Sequence, residues 1–482
     1  MVSDLRGQTV KGVKWNSVGT ITTTVLQMLK LFVLARILTK ADFGLIAIAT
    51  MFLGFTEIFA NLGLATGLIH KTDISREQYS SVFWLNLLLS VVLYGVLLAL
   101  SPLIARYYHQ DLYLQIIPLL SLQLVINAFG KMFYTFKTKD LDFRFISIVE
   151  ISGVSVSVVA TVVMALNGFG VFSLVYGALL QSLLTHGVYA ISGIRHYRIL
   201  FHCRLSEIKD LLKIGGFQLS TQVLDYAAGK MDVFLIGRFF SEEVLGIYNL
   251  AKELLYKAVQ LVNPIVTNVA TPAFARFQED MERMRSSYGE ILHLLSFVNF
   301  PVFMAFFLFA EPVTLLLYGG EMLEMAWFVR VLSLWGLFQS IGNPAGILMV
   351  SLGRTDLGFV WTLVRIAIML AGTYIACHIG IHAMAWTQVL LAFLFLFIYW
   401  RMMVYNMIRM PLRHYVGAVA FPLVAVLVAA LPALPLLLSV PFDSQGTNLL
   451  LWLDVGVFGL AYLTFYWLAR KGFIKGLIGM IR

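Results

Sequence analysis

The residues of this chain best placed to do chemistry are charged and amide side chains set inside long apolar stretches. A charge within a bilayer costs roughly 3 kcal/mol or more unless it faces water or a partner, so each is a candidate functional group. Two stretches concentrate them. Between residues 212 and 237 lie Gln218, Gln222, Asp225, Gly229, Lys230 and Asp232, all of which except Lys230 follow steps of three and four and share one helical face. Between 243 and 273 lie Asn249, Lys252, Glu253, Tyr256, Lys257, Gln260, Asn263 and Asn268. Matching stretches near the amino terminus carry Gln27 and Lys30, then Glu57 and Asn61. Lys30 and Lys252 have no carboxylate three or four residues away on their own helix, which suits them to an anionic substrate. Lys230 stands five residues from Asp225 and two from Asp232, so its partner is expected on another helix or in a ligand. Glu253 and Lys257, four apart in the favourable order, fit an internal ion pair as well as ligand binding.

The elements that must hold these groups are membrane spans. Hydrophobic residues make up 60% of the chain and charged residues 13%, against about 25% charged in a soluble domain. Mean hydropathy is +0.84. Apolar segments of about 20 residues fall near 14–37, 43–68, 79–104, 113–136, 146–166 and 169–192, then 212–237, 243–273, 287–318, 323–350, 358–379 and 380–404, and finally 415–438 and 449–470. The sequence thus predicts an all-α integral membrane protein of about fourteen transmembrane helices. Basic residues crowd into alternate connections, as in Arg195, Arg198, Arg204, Lys209 and Lys213, whereas the opposite side holds only Arg36, Lys40, Arg106 and Arg238. By the positive-inside rule both termini are expected to be cytoplasmic, and the net charge of +9 reports topology rather than a nucleic-acid partner.

The chain also contains two copies of one unit. Arg36, Gly44 and Asn61 recur as Arg238, Gly246 and Asn263 at one offset (238 − 36 = 202), and Asp140-Leu141-x-Phe143 recurs as Asp356-Leu357-x-Phe359. Six spans per copy make the repeats parallel, which places a transport pathway between them. The expected division is a six-helix lobe over 1–200, a second over 201–404, and two further helices over 405–482. Arg36 and Arg238 are read as supports at the outward helix ends. Lys131 with Arg330, and Glu150 with Arg365, are read as structural ties. Pro264 and Pro344 are expected to kink their spans.

Catalytic signals are missing. No phosphate loop supports direct ATP drive, and no cofactor is expected. His378 and His382 have ligand spacing but flank a turn at Gly380 without a companion set, so no metal is expected. Cys203 and Cys377 are placed on opposite sides of the bilayer and should not pair. The opening residues lack a cleavage site, and 1–13 read as a short interfacial helix rather than a signal peptide.

Gly12-Val13-Lys14-Trp15-Asn16-Ser17, Leu34-Ala35-Arg36-Ile37-Leu38 with Phe43-Gly44, Tyr79 through Trp84-Leu85-Asn86, Asn249-Leu250-Ala251, Asn263-Pro264-Ile265, Pro272-Ala273-Phe274-Ala275 and Gly342-Asn343-Pro344 occur in this order. Across almost the whole chain, they resemble the Wzx-type polysaccharide-exporter flippases of the multidrug/oligosaccharidyl-lipid/polysaccharide superfamily, in particular the colanic-acid exporters. The resemblance implies two six-helix lobes around a cavity that moves an undecaprenyl-pyrophosphate-linked oligosaccharide across the bacterial inner membrane, with polysaccharide polymerase machinery as a partner. Under it, Lys30, Lys230, Lys252 and Lys257 would meet the diphosphate, and Gln218, Gln222, Asn249, Gln260 and Asn263 the sugar hydroxyls. Asp225, Asp232 and Glu57 would couple transport to an ion, and the last two helices would guide the polyprenyl tail. The alternatives are a cation-coupled drug antiporter, which would hold more carboxylates and usually twelve spans, and a membrane enzyme of polysaccharide assembly, which would show a long outward loop. A membrane scaffold would need no charges at the start of both lobes.

Overall fold

In the computed structural model, residues 2–61, 75–204, 209–277, 280–433 and 449–470 are described, and helices joined by short connections account for them without a strand. Contacts group the chain into two units, Met1–Asn249 and Leu250–Arg482. The first holds α1 (Val2–Leu34), α2 (Lys40–Asn61), α3 (Arg76–Tyr108), α4 (Tyr113–Lys139), α5 (Phe143–Leu166), α6 (Val171–Tyr197), α7 (Lys209–Phe239) and the start of α8 (Glu242–Arg276). The second continues through α9 (Met281–Leu308), α10 (Ala310–Tyr318), α11 (Met325–Ile341), α12 (Asn343–Ser351), α13 (Thr355–Ile379), α14 (Ile381–Tyr399), α15 (Tyr405–Ile408), α16 (Leu412–Ala430) and α17 (Leu449–Ala469).

Local chemistry sets the ends of these helices. Ser75 and Gln78 form a reciprocal capping box at the start of α3, Asp142 caps α5 through the Phe145 amide, and Asp280 caps α9 through the Arg283 amide. Pro312 cannot donate to the Leu308 carbonyl, and the expected span 287–318 accordingly divides into α9 and α10 at Phe309. The expected span 323–350 divides at Gly342, with Pro344 in the first turn of α12. The opening segment, expected as a separate interfacial helix, is continuous with α1.

Among the described residues, ten helices are long and apolar enough to cross a membrane: Lys14–Leu34 of α1, α2 to α6, α9, Asp356–Ile379 of α13, Ile381–Ile408 and α16. Four expected spans fall outside that group. The helices α7 and α8 carry the charged stretches, α11 is 17 residues long, and α17 contributes the shorter apolar helix Leu453–Ala469. Residues 62–68 of the second expected span and 434–438 of the thirteenth lie outside the described residues.

Within the first unit α3 packs on α4, α4 on α6 and α6 on α5, and α1 lies along α5. Within the second, α9 packs on α11, α11 on α14 and α14 on α13, the same order among the corresponding spans. Small residues let these helices approach. Ser157 donates to the Gly177 carbonyl at 2.8 Å, and a Cβ on Gly177 would stand 1.9 Å from the Thr161 hydroxyl oxygen.

Candidate functional site

In the first unit, α2 and α4 run parallel, and a polar ladder joins them. Glu57 and Asn61 lie four residues apart on α2, as do Asn127 and Lys131 on α4. Asn127 Nδ2 donates to Glu57 Oε1 at 3.4 Å, and Lys131 Nζ donates to Asn61 Oδ1. Both pairs are separated by 70 residues, so one register sets both rungs. The Glu57 carboxylate also attracts the Lys131 ammonium, which gives the ladder an acidic and a basic group in one half-buried site.

Neighbouring helices extend this polarity. His186 of α6 stands within electrostatic reach of Lys131, and its Nδ1 and Asn127 Oδ1 are buried without a hydrogen-bond partner. One turn earlier on α6, Ser182 donates to Gln123 Oε1 at 3.2 Å. From α7, Tyr226 reaches over α2 and donates to the Met51 carbonyl at 2.9 Å, in space that a side chain on Gly54 would fill. Glu57 was among the candidates, and Lys131 was read as a tie; Gln123, Asn127, His186 and Tyr226 were missed. A signal was present, because Gln123, Asn127 and Lys131 recur every fourth residue of one helix.

The polar residues of α7 range from exposed to buried. Gln222 and Gly229 are exposed, Asp225 and Lys230 half-buried, and Asp232 fully buried. Asp232 Oδ2 accepts the Tyr248 hydroxyl of α8 at 2.7 Å, and its Oδ1 accepts the Val233 amide at 2.9 Å. Asp232 therefore ties α7 to α8 as well as offering a carboxylate. Lys30 of α1 and Asn249 of α8 are half-buried. The side chains of Gln218 and Asn263 lie outside the described residues.

In the second unit, Lys252 places its ammonium 5.5 Å from the centroid of the Trp335 ring on α11, a cation held against an aromatic face. Glu253 acts electrostatically on the buried Tyr318 hydroxyl. Lys257 is half-buried, and Gln260 is exposed. Arg330 pairs with Glu311 at 3.0 Å, a tie between α11 and α10. Asp454 of α17 is fully buried with both carboxylate oxygens unpartnered.

At the far ends of α2 and α8, Gly44 and Gly246 bring the two backbones together. Beside them the Arg238 guanidinium lies 5.3 Å from the Tyr107 ring centroid, while Arg36 is exposed. His378 bonds the Tyr374 carbonyl at 2.9 Å and His382 packs edge-on against Trp327, and among the described residues no cluster of three or more metal-ligating side chains occurs. Cys203 and Cys377 are both free.

The lipopolysaccharide biosynthesis protein WzxC of Escherichia coli is 27% identical over 381 residues, 78% of this chain and 77% of its own. The teichuronic acid biosynthesis protein TuaB of Bacillus subtilis is 27% identical over 462 residues, 95% of this chain and 94% of its own. Among solved structures, the lipid II flippase MurJ in an inward closed conformation superposes with a TM-score of 0.76 over 95% of this chain and 99% of its own, at 14% identity. An inward-facing multidrug resistance MATE transporter gives 0.63 over 80% of this chain and 98% of its own, also at 14% identity. The fold is thus that of these multi-span transporters. A family model described as polysaccharide biosynthesis protein matches residues 33–327, more than half of the chain, and the protein belongs to that family.

Proposed function

We propose that this protein is a flippase that carries an undecaprenyl-pyrophosphate-linked oligosaccharide from the cytoplasmic to the outer leaflet of the bacterial inner membrane. The observation that carries the reading is a sequence match through nearly the whole length of TuaB, together with matches to WzxC and to the succinoglycan biosynthesis transport protein ExoT of Rhizobium meliloti. The polysaccharides for which these relatives are named differ, which supports a common transport step rather than glycan chemistry. The structure supports the reading with half-buried cations and amides set in otherwise apolar helices.

In this proposal the chain has fourteen spans, two parallel six-helix repeats and two added helices, with both termini cytoplasmic. The shared packing order α3, α4, α6, α5 and α9, α11, α14, α13 supports the duplication. Lys30 and Lys230 of the first unit, and Lys252 and Lys257 of the second, meet the diphosphate during transport. Gln218, Gln222, Asn249, Gln260 and Asn263 serve the sugar hydroxyls. Asp225, Asp232 and Glu57 couple the cycle to an ion. No group with a catalytic role is proposed.

Deletion of the gene followed by analysis of lipid-linked sugars tests the function. Lipid-linked oligosaccharide should accumulate on the inner leaflet, and surface polysaccharide should fall. Unchanged surface glycan with altered drug tolerance would instead identify a drug antiporter.

A further inference from the structure

A cavity of about 190 Å³ opens in the first unit where α4 ends, α5 begins and α6 ends. The transport reading makes no use of it. Its floor is aromatic, built from Phe133, Phe145 and Tyr189. Gly193 completes that floor, because a Cβ there would overlap the Phe133 ring at 2.0 Å. Its polar lining carries both signs of charge, Lys137 and Asp140, beside the Ser192 hydroxyl and the His196 imidazole.

Neither charge is used up. The Lys137 ammonium lies 2.9 Å from Asp142 and 4.8 Å from the Phe145 ring centroid, and an ammonium has three N–H donors, so further donors remain for a ligand. Asp140 accepts the Tyr197 hydroxyl on Oδ2 at 3.5 Å, and its second oxygen remains for a ligand donor. Lys139, Arg144, Arg195 and Arg198 flank these helix ends, which the positive-inside rule places at the cytoplasmic headgroup layer.

A simple anion would be opposed by Asp140 and a simple cation by Lys137. A ligand that joins a phosphate to an ammonium satisfies both. We infer that this cavity is a binding site for a phospholipid headgroup of the phosphatidylethanolamine type, with its phosphate on Lys137 and His196 and its ammonium on Asp140 above the aromatic floor. The site is independent of the transport reading, since it uses none of the proposed substrate residues.

Native mass spectrometry of the full-length, delipidated protein, titrated with dioleoyl phosphatidylethanolamine, phosphatidylglycerol or phosphatidylcholine, tests it. Phosphatidylethanolamine should bind about tenfold more tightly than either other lipid, because glycerol has no ammonium and a trimethylammonium cannot donate hydrogen bonds to Asp140. Asp140→Asn should abolish the preference over phosphatidylglycerol. Ser192→Leu should remove binding by filling the cavity without altering charge, and it decides the matter if Asp140→Asn does not fold. Equal binding of the three lipids by the unaltered protein, or an unchanged preference in the folded variants, would overturn the site.

Discussion

Gly44 and Gly246 meet backbone to backbone. A Cβ on Gly246 would lie 1.9 Å from the Lys40 carbonyl oxygen and 3.0 Å from the Gly44 nitrogen, while a Cβ on Gly44 would lie 2.0 Å from the Glu242 carbonyl oxygen. The contact is reciprocal, each helix start pressing on the turn before the other's glycine, and the two glycines are those the sequence matches at an offset of 202 residues (246 − 44 = 202). Around them Tyr108 donates to the Phe234 carbonyl at 3.3 Å and Gln110 donates to Glu242 at 3.4 Å. The starts of α2 and α8 are thus closed against each other, with no room for a methyl group.

Gly246→Ala should destabilise this closed arrangement by about 1–3 kcal/mol, the usual range for overpacking a tight contact. Leu245 is fully buried beside the crossing, so maleimide labelling of Leu245→Cys, in a background lacking the two native cysteines, should rise several-fold in the alanine variant. Gly95→Ala, at a position with nothing within 4 Å, is the control and should label as the parent does. Equal labelling in all three proteins would show that the crossing does not hold the closed state.

Asp232 and Tyr248 separate a structural from a coupling role by experiment. Tyr248→Phe removes one hydrogen bond to a buried carboxylate and should cost about 1–3 kcal/mol, read as a lower melting temperature. If Asp232 also couples an ion, Asp232→Asn should change the ion dependence of transport in proteoliposomes while Tyr248→Phe leaves that dependence in place. The same ion dependence in both variants would leave Asp232 with only its tie to α8.

The sequence exposed the parts of this fold governed by transfer from water to lipid. The apolar segments 212–237 and 243–273 became α7 and α8 within a few residues at each end, because long apolar runs have few alternatives to a helix. Pairings between helices were less visible. Nothing in a one-dimensional pattern states that Asn127 faces Glu57 or that Tyr248 completes Asp232, since those bonds depend on the rotation of each helix about its axis. The break at Phe309 did have a local signal, since Pro312 lacks the amide that would bond the Leu308 carbonyl, but an apolar run on both sides of it reads as one span.

The ladder between α2 and α4 should behave as one coupled unit. Glu57→Gln leaves Lys131 without its carboxylate, and Lys131→Met leaves Glu57 without its cation, so each single change leaves a charge stranded among apolar helices. The double variant strands neither. In a double-mutant cycle on thermal stability, the coupling should be about 1–3 kcal/mol, with the double variant more stable than the sum of the two losses predicts. Additive losses would mean that solvent, not Lys131, stabilises Glu57.

The final two helices are held to the second unit by a histidine with both ring nitrogens engaged. Nδ1 of His293 on α9 lies 2.9 Å from the Ala418 carbonyl of α16, which can only accept, so the proton sits on Nδ1. Nε2 is then the acceptor for the Tyr466 hydroxyl of α17 at 3.4 Å. One turn away Tyr462 donates to the Phe297 carbonyl at 2.8 Å, and Phe421 packs edge-on against Tyr466 with centroids 5.0 Å apart. Tyr466→Phe keeps the ring packing and loses one bond, at a cost of about 1 kcal/mol. His293→Leu breaks the link to both helices and should cost more. Hydrogen exchange should therefore rise in α16 and α17 for His293→Leu, rise in α17 alone for Tyr466→Phe, and remain unchanged in α3 to α6 for both. An exchange increase spread evenly over the whole chain would show that the histidine stabilises the fold at large rather than fastening these two helices.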